Sequence, residues 1–352
     1  MREENVKVIL WGFGSMGSGM AKMLLKKKGV EIVGVIDGWD QLAGKSIFEV
    51  LGVEREGHPD VTITLDTEKE SVIKEGAADV VLLATDSFTA KAFDKMKFVL
   101  EQKINCLTTA EEMAYPQAQE PELAKQLDEI AKANGVSVMG TGINPGLIMD
   151  LLVLTLTGAS IDVEHIVAKR VNSLSPFGKA VMEEQGVGLE KEEFDRLVAS
   201  GELAGHVGFA ESVMAIADGI GWELDEPVRT SMEAIVSTVD RHAPYADVKA
   251  GNVAGVNMLG WGKVDGEDKI EMIHPQQVEP EDEGVHTGDY IEITGEPNIS
   301  MHIGPEVPGG IGTIAMMVNS IPNIINANPG LMTMLDVPVP VAIMGDMRKR
   351  IK

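Results

Sequence analysis

One cysteine, Cys106, stands in a chain of 352 residues. A lone thiol excludes an intramolecular disulfide framework and fits a reducing compartment. Set in an apolar run, Cys106 reads as a buried, inert side chain. Basic residues are also scarce: 30 Lys and Arg stand against 55 Asp and Glu, for a formal net charge of −25. That balance argues against nucleic acid and anionic membranes as partners. The acids are spread over helices and loops, so they read mainly as a solvated surface. No apolar run reaches the roughly eighteen residues of a membrane helix. The opening Met1-Arg2-Glu3-Glu4-Asn5 has none of the features of a signal peptide, and a cytoplasmic protein is expected. There is no HExxH and no His/Cys cluster with metal spacing, so no metal is expected. No GxSxG or Ser-His-Asp order supports a hydrolase.

What is present begins at residues 6–37. An apolar run, Val6-Lys7-Val8-Ile9-Leu10, leads into Gly12-Phe13-Gly14-Ser15-Met16-Gly17, and a second run ends in Asp37. Strand, glycine turn, helix, and strand closed by an acid is the order a dinucleotide site needs. Gly12 permits the tight turn, Gly14 lets the backbone approach a pyrophosphate, and Gly17 lets the helix sit close to the sheet. The helix N-terminus offers N–H groups to the phosphates. Gly12, Phe13, Gly14, Ser15, Met16 and Gly17 are therefore candidate cofactor contacts. Asp37 is placed to accept hydrogen bonds from the adenosine ribose. It would repel a 2′-phosphate, and Gly38-Trp39-Asp40 supplies no arginine to hold one. The expected cofactor is NAD, with NADP the less favoured alternative. Trp39 is either an adenine-stacking or a surface-packing residue.

The chain is long enough for two domains. Up to about residue 140, strands expected at 61–65, 79–84, 104–108 and 136–139 alternate with helices at 88–102 and 120–134. This pattern predicts a doubly wound parallel sheet of Rossmann type, with ligands beyond the carboxyl ends of its strands. Beyond Asp150, longer strands at 163–171, 228–239, 269–273 and 290–294, with helices at 191–200 and 209–220, predict an α+β domain on a mostly antiparallel sheet. The expected division is 1–148 for the dinucleotide-binding domain, joined by 309–352, and 149–308 for substrate binding and dimerisation. The run 309–326 reads as one helix-length segment, and 279–283 as a solvated acidic connection. The 20 methionines read mostly as core filler. An open antiparallel sheet makes a homodimer the expected assembly.

Three loops follow strands at the expected active edge. Thr85-Asp86-Ser87 can line the nicotinamide ribose, with Thr85 the candidate contact; Asp86 or Ser87 can equally cap the next helix. Thr108-Thr109-Ala110-Glu111-Glu112 carries two acids, candidates for general acid/base work because desolvation raises a carboxyl's pKa toward neutrality. Both acids also suit the first turn of a helix, and adjacent positions point in different directions. Gly140-Thr141-Gly142-Ile143-Asn144-Pro145-Gly146 is a rigid loop with exposed amides, a good turn and also a candidate nicotinamide contact through Thr141 and Asn144. In the second domain Arg170 and Asn172 lie two apart on one strand face, where a guanidinium beside an amide suits a substrate carboxylate. His206, Arg241-His242 and His274 are further candidates, each weak alone.

Taken together, Thr-Ala-Glu-Glu-Met-Ala-Tyr-Pro (109–116), Gly-Thr-Gly-Ile-Asn-Pro-Gly (140–146), Lys-Arg-Val-Asn (169–172) and Gly-His-Val-Gly-Phe-Ala-Glu-Ser (205–212) resemble the 2,4-diaminopentanoate dehydrogenase family and its native amine dehydrogenase relatives. The wider kin is dihydrodipicolinate reductase, whose His-His and Lys pattern is not reproduced here. The Glu-Lys-Pro signature of sugar dehydrogenases with this architecture is also missing. The resemblance implies oxidative deamination of 2,4-diaminopentanoate at C4, giving 2-amino-4-oxopentanoate, ammonia and NADH, a step in ornithine degradation. It implies Glu111 as the catalytic carboxylate, with Glu112 as the fallback. Arg170 and Asn172 would hold the substrate carboxylate, His206 or His274 would line the pocket, and Thr141 and Asn144 would border the nicotinamide. The alternatives are an amine dehydrogenase for other small amines or ketones and a non-catalytic NAD-binding sensor.

Overall fold

The apolar run at the start of the chain forms strand β1 (Val6–Trp11), and the glycine turn after it opens helix α1 (Ser15–Leu24). There follow β2 (Val30–Asp37), α2 (Ile47–Leu51), β3 (Ile63–Leu65), β4 (Val80–Leu83), α3 (Thr89–Glu101), β5 (Asn105–Thr108), α4 (Pro121–Asn134) and β6 (Ser137–Gly140). The computed structural model describes residues 2–203 and 205–352. All strand pairings in this unit are parallel. Every residue of β4 and β6 is buried, which explains why these strands read as unbroken apolar runs rather than alternating ones. Cys106 lies in this core, where burial pushes its thiol up to about 12; it stays protonated and unreactive. The regular alternation breaks between β2 and β4. There α2 has only five residues and β3 three, because the charged and glycine-rich stretch 52–62 offers no apolar stripe to hold a longer helix against the sheet.

A second unit, Ile148–Pro308, has its own sheet. It contains α5 (Leu151–Thr157), β7 (Asp162–Ser173), α6 (Lys179–Glu184), α7 (Lys191–Ser200), α8 (Phe209–Ile220), β8 (Arg229–Val236), β9 (Arg241–Ala243), β10 (Ala246–Val248), β11 (Val253–Val264), β12 (Glu267–Gln277), β13 (Gly288–Glu296) and β14 (Ile299–Ile303). The six-stranded order is β14-β13-β7-β12-β11-β8, antiparallel throughout except for the parallel pair β7/β12. One face is buried, and α8 packs on it over β11 and β12. On β11 the alternate positions Asn257, Leu259, Trp261 and Lys263 are only half-buried. Strand β11 is the longest element that periodicity did not disclose, because Gly255, Gly260 and Gly262 interrupt its apolar pattern. Its glycines answer to packing. A Cβ on Gly260 would lie 2.6 Å from Phe209 and one on Gly262 2.7 Å from Val213, so both let α8 lie close; one on Gly255 would meet the Gln276 carbonyl at 1.9 Å.

The acidic stretch 279–283 is solvated at Glu281 and Asp282, as expected, but Glu283 is tied down. Pro280–Glu283 forms a single 3-10 turn. The Glu283 carboxylate pairs with the fully buried Arg241 and accepts from the Thr238 backbone N–H and hydroxyl. The remaining Arg241 donors go to Ser237, Gln277 and the Val278 carbonyl. A buried guanidinium needs this many acceptors to offset its lost hydration, so Arg241 is a structural residue.

The chain then returns to the first unit, whose residues are 1–147 and 309–352. Residues 309–326 form two helices rather than one, α9 (Gly309–Asn319) and α10 (Ile321–Asn326), divided at Ser320 ahead of Pro322. Proline is tolerated in the first turn of a helix and not in its interior. Helix α9 packs along α1, with Ile314 over Gly19. Strand β15 (Gly330–Met332) adds to β6 and completes the seven-stranded order β15-β6-β5-β4-β1-β2-β3. Among the described residues no helix is long and apolar enough to cross a membrane.

Candidate active site

The glycine turn has the shape its sequence predicts. Gly12 has φ +95°, and a Cβ there would lie 2.3 Å from the Ala84 carbonyl. A Cβ on Gly14 would meet nothing within 4 Å, so the backbone there borders open space that a phosphate can enter. Gly17 plays a different part from the one expected. Its Cβ would fall 1.8 Å from the Gly12 carbonyl, so it holds α1 against the turn itself. Helix α1 carries no acid in its first turn and no side-chain cap, leaving its first N–H groups for an anion. Ser15 is exposed, Met16 half-buried, and Phe13 buried. The Asp37 carboxylate, at the end of β2, accepts from the Phe13 N–H at 2.5 Å and the Trp39 N–H at 2.8 Å. It thereby pins the turn to β2, and each oxygen keeps a second lone pair for a ribose hydroxyl. These residues fit a dinucleotide.

Beyond β4, Thr85 is exposed and its hydroxyl donates to Asp86, while Lys95 donates to both. Neither Asp86 nor Ser87 caps α3: the helix begins after Phe88 with no cap of its own. The buried Glu112 carboxylate does that work, accepting from the Thr89 N–H at 2.7 Å. Glu112 is thus engaged at a helix terminus, where its charge suits the dipole, and the fallback reading of it as the catalytic base is corrected. Glu111, half-buried, opens the 3-10 turn Glu111–Ala114 beyond β5. Beyond β6, Thr141 is buried, donates to the Met334 sulfur at 3.2 Å and continues the ladder to Thr108. Its hydroxyl is therefore directed into the protein, and Met334 is a neighbour that no local pattern disclosed. Asn144 is half-buried before a cis Pro145. The loop closes on itself at Gly146, φ +125°, where a Cβ would stand 2.5 Å from Gly142.

In the second unit Arg170 and Asn172 do share the buried face of β7, but Arg170 is not an unpartnered cation. It is 2% exposed, pairs with the fully buried Asp289 of β13 and donates to the Val307 carbonyl at 2.6 Å. Burial pushes the Asp289 carboxyl up from its ordinary value, while Arg170 and the Val307 N–H draw it back. The expectation that Arg170 anchors a substrate carboxylate is corrected: its charge is already matched. Asn172 donates through Nδ2 to the Ser173 carbonyl at 3.2 Å, and its buried Oδ1 has no partner. An amide oxygen repels a carboxylate, so that part of the expectation changes too.

His206 and His274 meet edge to face, ring centroids 4.8 Å apart, with Phe209 about 6 Å from each. The buried His274 Nδ1 bonds the Arg170 carbonyl at 2.8 Å. Burial, then His206 and Arg170, push His274 well below its ordinary value. Part of His206 reaches the surface, yet its ring is packed among these groups. Burial and then Arg170 hold it down at about 4. Both imidazoles are neutral at pH 7. Sequence reasoning missed Asp289, Gln185 and Gln276. Gln276 was within reach, since it stands two residues beyond His274 on the same strand face.

Two family models together span most of the chain. Residues 6–139 match the dihydrodipicolinate reductase N-terminus, and residues 147–352 match the 2,4-diaminopentanoate dehydrogenase C-terminal domain. A 2,4-diaminopentanoate dehydrogenase from Acetoanaerobium sticklandii is 64% identical over 98% of this chain and 97% of its own. The chain belongs to the 2,4-diaminopentanoate dehydrogenase family. An amine dehydrogenase from Streptomyces virginiae is 21% identical over 96% of this chain and 98% of its own. The solved amine dehydrogenase from Mycobacterium smegmatis superposes with a TM-score of 0.85 at 25% identity, covering 97% of this chain and 99% of that one. As a member of the family the protein is an oxidoreductase, a dehydrogenase that uses a nicotinamide cofactor.

Proposed function

We propose that the protein catalyses NAD-dependent oxidative deamination of 2,4-diaminopentanoate at C4, producing 2-amino-4-oxopentanoate, ammonia and NADH within ornithine degradation. The observation that carries this reading is the place of Glu111, in the turn directly beyond β5, at the edge where a doubly wound sheet binds its ligands. Glu112 caps α3, and we assign proton transfer to Glu111, half-buried at the start of that turn. The likeness to the relative of that name supports the substrate.

Glu111 accepts a proton from the C4 ammonium, because the nitrogen needs its lone pair before C4 can release hydride. A nicotinamide dinucleotide held by the Gly12–Gly17 turn and Asp37 would supply the acceptor for that hydride. The substrate is left as an iminium; Glu111 releases its first proton to solvent and, again ionised, takes a proton from the water that attacks C4. The resulting carbinolamine collapses to the ketone: Glu111 returns the proton to the nitrogen, which departs as ammonia, and takes up the hydroxyl proton as the carbonyl forms. Among the second unit's candidates, Asn172, His206 and His274 are the substrate contacts. The neutral imidazoles add no positive charge against the two nitrogens of the substrate. NAD is favoured over NADP because Asp37 would face a 2′-phosphate with a negative charge, and residues 38–40 bring no compensating cation.

The test is NADH formation with 2,4-diaminopentanoate beside a panel of amino acids and simple amines, with NAD and with NADP. Turnover of the diamino acid with NAD supports the reading; turnover confined to other substrates overturns it. The likeness to amine dehydrogenases favours a second reading, oxidation of simple amines, which the same panel separates. We place the enzyme in the cytoplasm as a homodimer. The half-buried face of the second sheet supports the dimer, and sedimentation equilibrium checks it.

A further inference from the structure

Three amide side chains of the second unit are each at least nine-tenths buried: Asn172 on β7, Gln276 on β12, and Gln185 just after α6. Asn172 and Gln276 are direct partners in the parallel register of β7 and β12. Gln185 reaches Gln276, its Nε2 donating to the Gln276 Oε1 at 3.5 Å. Each amide uses one end to fix itself and leaves the other unmet. Asn172 holds on through Nδ2 and presents Oδ1, Gln185 through Nε2 and presents Oε1, and Gln276 through Oε1 and presents Nε2. The unmet ends are two acceptors and one donor group. Buried polar atoms are normally satisfied, so three unmet ends of mixed sense in one linked cluster describe the complement of something that carries both donors and an acceptor.

We propose that Asn172, Gln185 and Gln276 form the subsite for the α-amino-acid headgroup of the substrate. The C2 ammonium donates to Asn172 Oδ1 and Gln185 Oε1, and the carboxylate accepts from Gln276 Nε2. This inference rests on the diamino acid reading above and deepens it. Neutral amides suit the task because the headgroup is a zwitterion and needs oriented dipoles rather than a net charge. The nearby Arg170, matched by Asp289, leaves the surroundings without an excess charge that would favour one half of the zwitterion. A simple amine has no carboxylate, so on binding here it would leave Gln276 Nε2 unmet. A site built to hydrogen-bond a group discriminates against the analogue without it.

The test uses 2-aminopentanoate, which keeps the headgroup and lacks the reactive C4 amine, and 2-aminopentane, which keeps the amine and lacks the headgroup. Binding of each to wild type, Gln276→Leu and Gln185→Leu is measured by calorimetry with cofactor present. Both variants are expected to weaken 2-aminopentanoate by about tenfold to a hundredfold, the worth of a hydrogen bond to a charged group, and to weaken 2-aminopentane far less. Equal weakening of both ligands, or no binding of 2-aminopentanoate to wild type, overturns the subsite. If Gln276→Leu does not fold, Gln185→Leu decides alone. The two readings fail separately. Turnover of 2,4-diaminopentanoate that is indifferent to both glutamines sinks the subsite and leaves the function standing. Gln276-dependent binding of 2-aminopentanoate by a protein that oxidises no diamino acid does the reverse.

Discussion

Glu111 and Glu112 are identical in kind and adjacent in sequence, and the structure separates them through a helix elsewhere in the chain. Glu112 is turned to the Thr89 N–H; Glu111 opens the turn beyond β5. The two positions therefore answer to different measurements. Glu111→Gln is expected to lower kcat by about a hundredfold to ten-thousandfold, the range for losing a general base, with cofactor affinity and melting temperature retained. Glu112→Ala is expected to cost about 1–2 kcal/mol of stability, as for a lost helix cap, and to show as a lower Tm. Reversal of this pattern in kinetics and melting would exchange the two roles. Arg170 makes a related point. Because its partner Asp289 is fully buried, Arg170→Ala strands a buried carboxylate and is expected to destabilise the fold by about 3–5 kcal/mol, read as a shift in denaturant midpoint. A substrate-selective defect without loss of stability would contradict the ion pair's structural role.

Elements in this fold are positioned by what their glycines leave out. The α1 N-terminus sits on the turn because Gly17 has no Cβ to strike the Gly12 carbonyl. Gly17→Ala is expected to push the helix away from the turn and weaken NAD binding roughly tenfold or more, in line with an overpacking cost of about 1–3 kcal/mol. Calorimetric titration of NAD checks it, and an unchanged affinity would mean that the turn relaxes freely. In the second unit the same logic hid a strand: the glycines of β11 dilute its apolar pattern and at the same time admit α8. Helices α7 and α8 were legible because their apolar residues recur at helical spacing and they end at Gly201 and Gly221, both left-handed. The three-residue β15 was not, since a strand that short carries no period of its own.

At the scale of the molecule, the buried histidines make stability depend on pH in one direction. His206 is held at about 4 by burial and Arg170, and His274 is also pushed down. The unfolded chain takes up these protons near pH 6.5, whereas the folded chain does not. Their contribution is fully present above about pH 6.5 and is lost as pH falls toward 4. Melting temperatures measured across that window are expected to fall with acidity, and more shallowly in His274→Phe than in wild type. Parallel curves would show that the His274 ring is not buried neutral. The first unit draws its last strand and two helices from residues 309–352, so its sheet is complete only when the chain has passed through the second unit and come back.

What the sequence by itself determined is local. The order of strand, glycine turn, helix and acid follows from backbone permissiveness and apolar periodicity within residues 6–37, and the sheet class follows from alternation repeated along the chain. The choice between neighbouring like residues belonged to the tertiary structure, because hydrogen-bond partners are set by chain segments far apart in number. Thr89 claims Glu112, Asp289 claims Arg170, Glu283 claims Arg241, and Gln185 orients Gln276 across 91 positions. Which partners a charge or an amide meets is decided by distant segments, and distance along the chain carries no record of that.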